Sequence, residues 1–365
     1  MPRPLAPIWL ATPGSFAGTS KRRAAIVASL LVALLIAAFT ALATPRVTTD
    51  PTEQFGELIL YEGVIAGIEA GGDYYQLTAD TLRAVGAPLR PFTSFRLPTH
   101  AVVQAALPPI VTLALLYLLA LGVAAAWWTR LKPAFARPPA RTAAMLLLAG
   151  GMIVVAQGGL VALHEIWAAQ LIALALAVRR PGRWVEATAL ALVAMLVRET
   201  AALFAVVMLL AAWRDGERRE AVGWGIALAG FVLAIVAHAW AVAQVVGPLD
   251  PPATDWLGLL GPGGFVRSLV EATSFRLLPL ALAAPLVALA LFGWASWRDP
   301  LASRAFATFA AYALAIASVA QPGNSLGLLI APIFLVGLAF APDGVRDLAA
   351  ALLDRRRVRV QRITQ

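Results

Sequence analysis

The sequence predicts an all-α membrane protein, a polytopic transmembrane helical bundle with about ten crossings and both termini cytoplasmic. Three observations predict it. Of 365 residues, 60% are hydrophobic and 13% charged, where a soluble domain carries about 45–50% and about 25%. Apolar runs long enough to span a bilayer recur along the chain, and the 28 Gly and 25 Pro supply many points at which helices can break. Basic residues fall in clusters between the runs, as cytoplasmic loops do. A composition this apolar excludes a soluble enzyme and equally a disordered chain. The absence of cysteine excludes disulfides, thiolate metal sites and cysteine nucleophiles.

Residues 1–23 form a cytoplasmic N-terminal segment, held inside by Lys21, Arg22 and Arg23. The first crossing is 24–43. A rival reading makes it a cleaved signal peptide, because Ala41-Leu42-Ala43 has the small residues of a cleavage site. Residues 44–100 are then a long first outer loop with seven acids: Asp50, Glu53, Glu57, Glu62, Glu69, Asp73 and Asp80. The chain returns through 101–128. Arg130, Lys132, Arg137 and Arg141 follow, then Arg179, Arg180 and Arg183, then Arg214, Arg218 and Arg219, then Arg298 and Arg304. If each cluster is cytoplasmic, an even number of crossings separates neighbours. That predicts hairpins at 142–178, 184–213 and 305–341, and a pair at 221–246 and 275–297. In the outer loop joining that pair, Gly261-Pro262-Gly263-Gly264 reads as a turn.

Residues 24–341 therefore make one transmembrane domain, and 342–365 a basic cytoplasmic tail. On this topology the cytoplasmic segments hold 22 basic and 8 acidic residues and the outer ones 7 and 12. Those charges, +14 and −5, make up the net +9. The basic excess is a topology signal; the expected location is a bacterial-type inner (plasma) membrane, multi-pass, with the long loop on the outer side. Arginines scattered over short loops argue against a nucleic-acid partner.

Two hairpins are too short. Segments 166–178 and 201–213 have thirteen residues each, or about 20 Å of helix. Their tips carry His164-Glu165 and Arg198-Glu199-Thr200. Charges at such depth must pair or face water, which predicts an outward-open recess lined by these tips. The competing readings are a solvated turn and a structural ion pair. His238, inside 221–246, reads as a hydrogen-bonded packing residue.

Within the outer loop, Gly71-Gly72-Asp73-Tyr74-Tyr75 opens a stretch with apolar residues at helical spacing, Leu77, Leu82 and Val85. Gly86-Ala87-Pro88-Leu89-Arg90-Pro91 breaks it, and Phe95-Arg96-Leu97-Pro98 leads into the second crossing. An interfacial amphipathic helix led by an Asp fits, as does a plain connector with Asp73 as helix cap.

These features resemble the GT-C type of polyprenyl-phosphate-sugar-dependent membrane glycosyltransferase, as a divergent member. The resemblance rests on the Asp-Tyr-Tyr helix and Gly-Pro turn in the outer loop, on Arg96 before the second crossing, and on the short hairpin through Leu196-Val197-Arg198-Glu199-Thr200. It covers about the first two-thirds of the chain, and its motifs are loose. It implies transfer of a sugar from a lipid-linked donor to a glycan or lipid acceptor at the outer face, with an outer-loop carboxylate as base. Asp73 matches by context, Asp50 by nearness to the first crossing, and Glu62 is a third candidate. Arg96 or Arg198 would hold the phosphate, with Glu199, His164, Glu165, Tyr74 and Tyr75 completing the substrate site. No cofactor is implied: with no Asp-x-Asp motif, a divalent metal has no support in the sequence. A transporter or flippase of a lipid-linked saccharide, and a non-catalytic membrane subunit, are the alternatives.

Overall fold

A computed structural model describes residues 6–44, 51–253, 259–318 and 326–353. Asp50 and the arginines from Arg355 to Arg362 lie outside the described residues. All regular structure among the described residues is helical, without a strand. Among the described residues four helices are long and apolar enough to cross a membrane: α1 (Lys21–Ala38, prolonged by a 3-10 turn to Leu42), α5 (Pro109–Leu131), α10 (Arg218–Val245) and α13 (Pro300–Ser318). A fifth would be α14 (Leu326–Phe334) with its 3-10 extension to Ala339, followed by α15 (Ala341–Leu353) after a 50° bend.

Between them lie shorter helices: α6 (Pro138–Gly151), α7 (His164–Val178), α8 (Val185–Val197), α9 (Ala202–Arg214) and α12 (Leu280–Ser296). Their position follows from what surrounds them. Leu30 and Ile36 on α1, Leu118 on α5 and Leu233 and Trp240 on α10 are exposed, an outer surface suited to hydrocarbon rather than water. The short α7 is buried on nearly every side, packed by α5, α8 and α14. Where lipid is as apolar as the side chains, close backbone contact holds helices together. At Gly293 of α12 and Gly337 of the 335–339 turn, a methyl group on either residue would collide with backbone across the contact.

The connections gather at two ends. At the basic end Arg179 meets Glu220 (2.6 Å), and Arg304 meets both Glu220 (3.3 Å) and Asp215 (2.8 Å). There the chain near its start crosses the bundle, with the N–H groups of Ile8, Trp9 and Leu10 donating to the Asp343 carboxylate. At the other end sits the segment before α5: α2 (Pro51–Glu69), α3 (Tyr74–Ala84) and α4 (Thr99–Ala105).

Two expectations shift. The second long helix starts at Pro109 rather than 101, because Pro108-Pro109 removes two N–H donors and parts it from α4. The Gly261-Pro262-Gly263-Gly264 run is not a turn: it opens α11 (Gly261–Ala272), with Pro at a position that needs no donor. Its glycine backbone lies against Ala41 and Thr44, where a Cβ on Gly263 would clash.

Candidate functional site

The site forms where the short arms stop. Helix α7 begins at His164 and α8 ends at Val197, so their polar tips meet at the same depth. His164, Glu165 and Arg198 are 2%, 3% and 5% exposed, which excludes the solvated-turn reading of the Arg198 tip. Arg198 pairs with Glu165 (Nε–Oε1 2.9 Å) and with Glu199 (Nη1–Oε2 3.4 Å). Glu199 keeps 23% of its side chain exposed. Its Oε1 accepts from the Leu97 N–H at 2.8 Å, joining the tip to the loop 102 positions earlier in the chain.

That loop brings Arg96, whose Nε donates to the Tyr61 hydroxyl at 3.1 Å. The Tyr74 hydroxyl donates to the Arg96 carbonyl at 2.6 Å. Burial works against the Arg96 charge, but Tyr61, Glu165, Glu199 and Glu57 outweigh it and raise its pKa above the ordinary value. The guanidinium is therefore a fixed cation at this end.

Two histidines lie beside it, their rings tilted by 55°. The rings of His100 and His164 lie 4.4 Å apart, and Tyr61 meets His164 edge-on at 4.7 Å. Gln104 donates one N–H to the Val161 carbonyl (2.9 Å) and another to His100 Nε2 (2.7 Å). In neutral His100 the proton is then on Nδ1, and that atom is unpartnered, as are both ring nitrogens of His164. Burial lowers the His100 pKa to about 4, with Glu165 pulling weakly the other way.

The other predicted residues divide. Asp73 caps α3 at the exposed surface, its Oδ1 accepting from the N–H of Tyr75 and Gln76, both at 3.0 Å. It adjoins Tyr74 without entering the buried cluster. Tyr75 turns to α10, its hydroxyl 3.2 Å from His238 Nδ1. His238 Nε2 contacts the Phe95 carbonyl at 3.3 Å. Since a carbonyl only accepts, Nε2 carries the proton and Nδ1 accepts from Tyr75. His238 is thus buried and hydrogen-bonded, as its place inside 221–246 predicted, and it straps Tyr75 to the Phe95 backbone. Glu62 is exposed on α2, next to Tyr61 but around the helix from it.

Sequence reasoning missed Glu57, Tyr61 and His100. Glu57 and Tyr61 are four apart on α2, the spacing that puts two side chains on one helical face. That was the available signal. Among the described residues no group of three or more His, Asp or Glu could hold a metal ion. Chemically the cluster offers two guanidiniums, three carboxylates and two imidazoles in a site walled by apolar helices. No protein-family model matches the chain, and comparison with curated proteins and with solved structures gives no match.

Proposed function

We propose that the chain is a membrane glycosyltransferase moving a sugar from a polyprenyl-phosphate donor to a cell-envelope acceptor at the outer face of a bacterial-type inner membrane. One observation carries the reading: Arg96 and Arg198, each buried or half-buried among carboxylates, stand at the end of an apolar bundle. Ions in such a setting are functional candidates by default. A phosphate head with an apolar tail suits both halves of it, since guanidiniums grip phosphate oxygens by paired N–H bonds while the tail lies along exposed Leu and Val.

In this reading the basic end faces the cytoplasm and the chain makes ten crossings, α1, α5 to α10, α12, α13 and α14. Transfer needs a base at the acceptor hydroxyl and positive charge at the leaving phosphate. Arg96 and Arg198 supply the charge. Asp73 is the base by its place beside Tyr74, and Glu199, the half-buried carboxylate of the cluster, is its rival. The test is release of polyprenyl phosphate from a labelled polyprenyl-phosphate sugar by the purified chain in lipid nanodiscs, with a cell-envelope extract supplying the acceptor hydroxyl. Arg198→Ala is expected to slow release about 10²–10³-fold, and Asp73→Asn or Glu199→Gln, whichever removes the base, about 10²–10⁴-fold. Full activity in all three variants would end the proposal.

A transport reading draws on the buried trio His164, Glu165 and Arg198, since transporters also bury ions at their binding sites. Single cysteines, introduced into a chain that has none, would favour it if the same position reacted from both faces in turn.

A further inference from the structure

His164 has neither ring nitrogen bonded, although it is 2% exposed. Buried polar atoms are bonded in all but a few cases, and no side chain or backbone group of the described residues bonds these atoms or His100 Nδ1. The groups around His164 come from every side. Helix α2 contributes Tyr61, the loop Arg96, α4 His100, α7 its own Glu165, and the α8–α9 break Arg198 and Glu199, while Glu57 on α2 acts on Arg96. Helices α5 and α14 also pack on α7; α14 has no ionisable residue, and α5 has at this end only Tyr117. Three carboxylates thus oppose two guanidiniums, and with neutral imidazoles the site is one charge negative.

The guanidiniums grip the phosphate, but its charge leaves the whole site at minus two in a region of low dielectric unless a proton enters with it. Resting on the reading of this site as the seat of the donor's phosphate, we infer that binding the phosphodiester draws in one proton, carried by His164. The step makes an N–H bond on the imidazole and breaks none in the ligand; the proton comes from solvent and leaves with the phosphate. It keeps the net charge at minus one and turns the accepting nitrogen of His164 into a second donor. The phosphate, a few ångströms away, holds that proton by charge attraction.

The test is titration calorimetry of the full chain in nanodiscs with farnesyl methyl phosphate, a phosphodiester whose charge is constant from pH 5 to 9. Running it in buffers of different ionisation heat counts the protons. The expected result is uptake of about one proton per ligand, with binding tightening about tenfold for each unit of falling pH in the linked range. In His164→Gln uptake is expected to vanish and the pH slope to flatten. Wild-type binding without uptake overturns the inference and leaves the phosphate site standing, and so does undiminished uptake in folded His164→Gln. No binding at any pH overturns the phosphate reading, and this inference with it.

Discussion

Glu220→Gln at the basic end tests the electrostatics of the buried framework. Glu220 is 1% exposed and accepts from Arg179 Nη2 (2.6 Å), Arg179 Nε (3.1 Å), Arg304 Nη1 (3.3 Å) and Trp224 Nε1 (3.2 Å). Glutamine keeps the volume but removes the charge that offsets two guanidiniums, themselves 4% and 1% exposed. Removing one partner of a buried pair costs about 3–5 kcal/mol, because the desolvated partner stays behind. Arg304 still has Asp215 at 2.8 Å, so the loss belongs near the lower figure, about 3 kcal/mol. The assay is reversible unfolding in mixed micelles of a mild detergent and dodecyl sulfate, followed by tryptophan fluorescence. Replacing Glu220 by Leu together with Arg179 by Met removes the stranded charge and is expected to be more stable than Glu220→Gln alone. A loss under about 1 kcal/mol for the single change, the range of exposed pairs, would refute the reasoning. So would a double variant weaker than the single.

Gly337→Ala would drive a methyl group into the Ala290 backbone and is expected to cost about 1–3 kcal/mol or more. Gly225→Ala on α10 meets open space and is expected to gain about 0.5–1 kcal/mol; the same micelle assay measures both. Because His100 stays neutral in the fold down to about 4, against an ordinary 6.5, its contribution is complete above 6.5. It is lost progressively as pH falls from 6.5 toward 4, by up to about 3 kcal/mol, and His100→Gln should flatten that stretch of the stability–pH curve. Tyr75→Phe breaks one bond of the strap to His238 and should cost about 0.5–1.5 kcal/mol. A double-mutant cycle with His238→Gln should show coupling between the two.

Much of this architecture is visible along the chain because it depends on local facts. An arm of fifteen residues or fewer that ends in His-Glu or Arg-Glu must bury those ions or bend, whatever packs around it. Asp73 before Tyr-Tyr at the head of an amphipathic stretch has the makings of a helix cap, and it is one. What was hidden depends on distance along the chain. Glu199 bonds the Leu97 N–H, and Arg83 grips Asp250 across 167 positions (2.8 Å); no spacing rule joins such pairs. The misjudged Gly-Pro-Gly-Gly run shows the converse. Glycine and proline favour turns in isolation, yet here Pro262 can begin a helix and the small residues let α11 approach the end of α1.

The three histidines of the chain show why a polar residue's setting matters more than its type. All three stand at the same end of the bundle, all three buried. His238 bonds through both nitrogens and ties Tyr75 to the Phe95 backbone, so its polar capacity is used in holding the loop. His100 uses one nitrogen on Gln104, and His164 uses none. Burying an unbonded polar atom costs roughly 1–3 kcal/mol, a sizeable part of a stability of about 5–15 kcal/mol. Packing alone does not demand it, since an apolar residue in place of His164 would fill the same space without that cost. On the proposed reading, that cost is offset when the phosphodiester binds there. The His164 side chain is therefore where stability and function should trade against each other. His164→Leu is expected to raise the unfolding midpoint in the empty protein while abolishing the pH dependence of phosphodiester binding, and a variant that lost stability would show that the ring is there for packing.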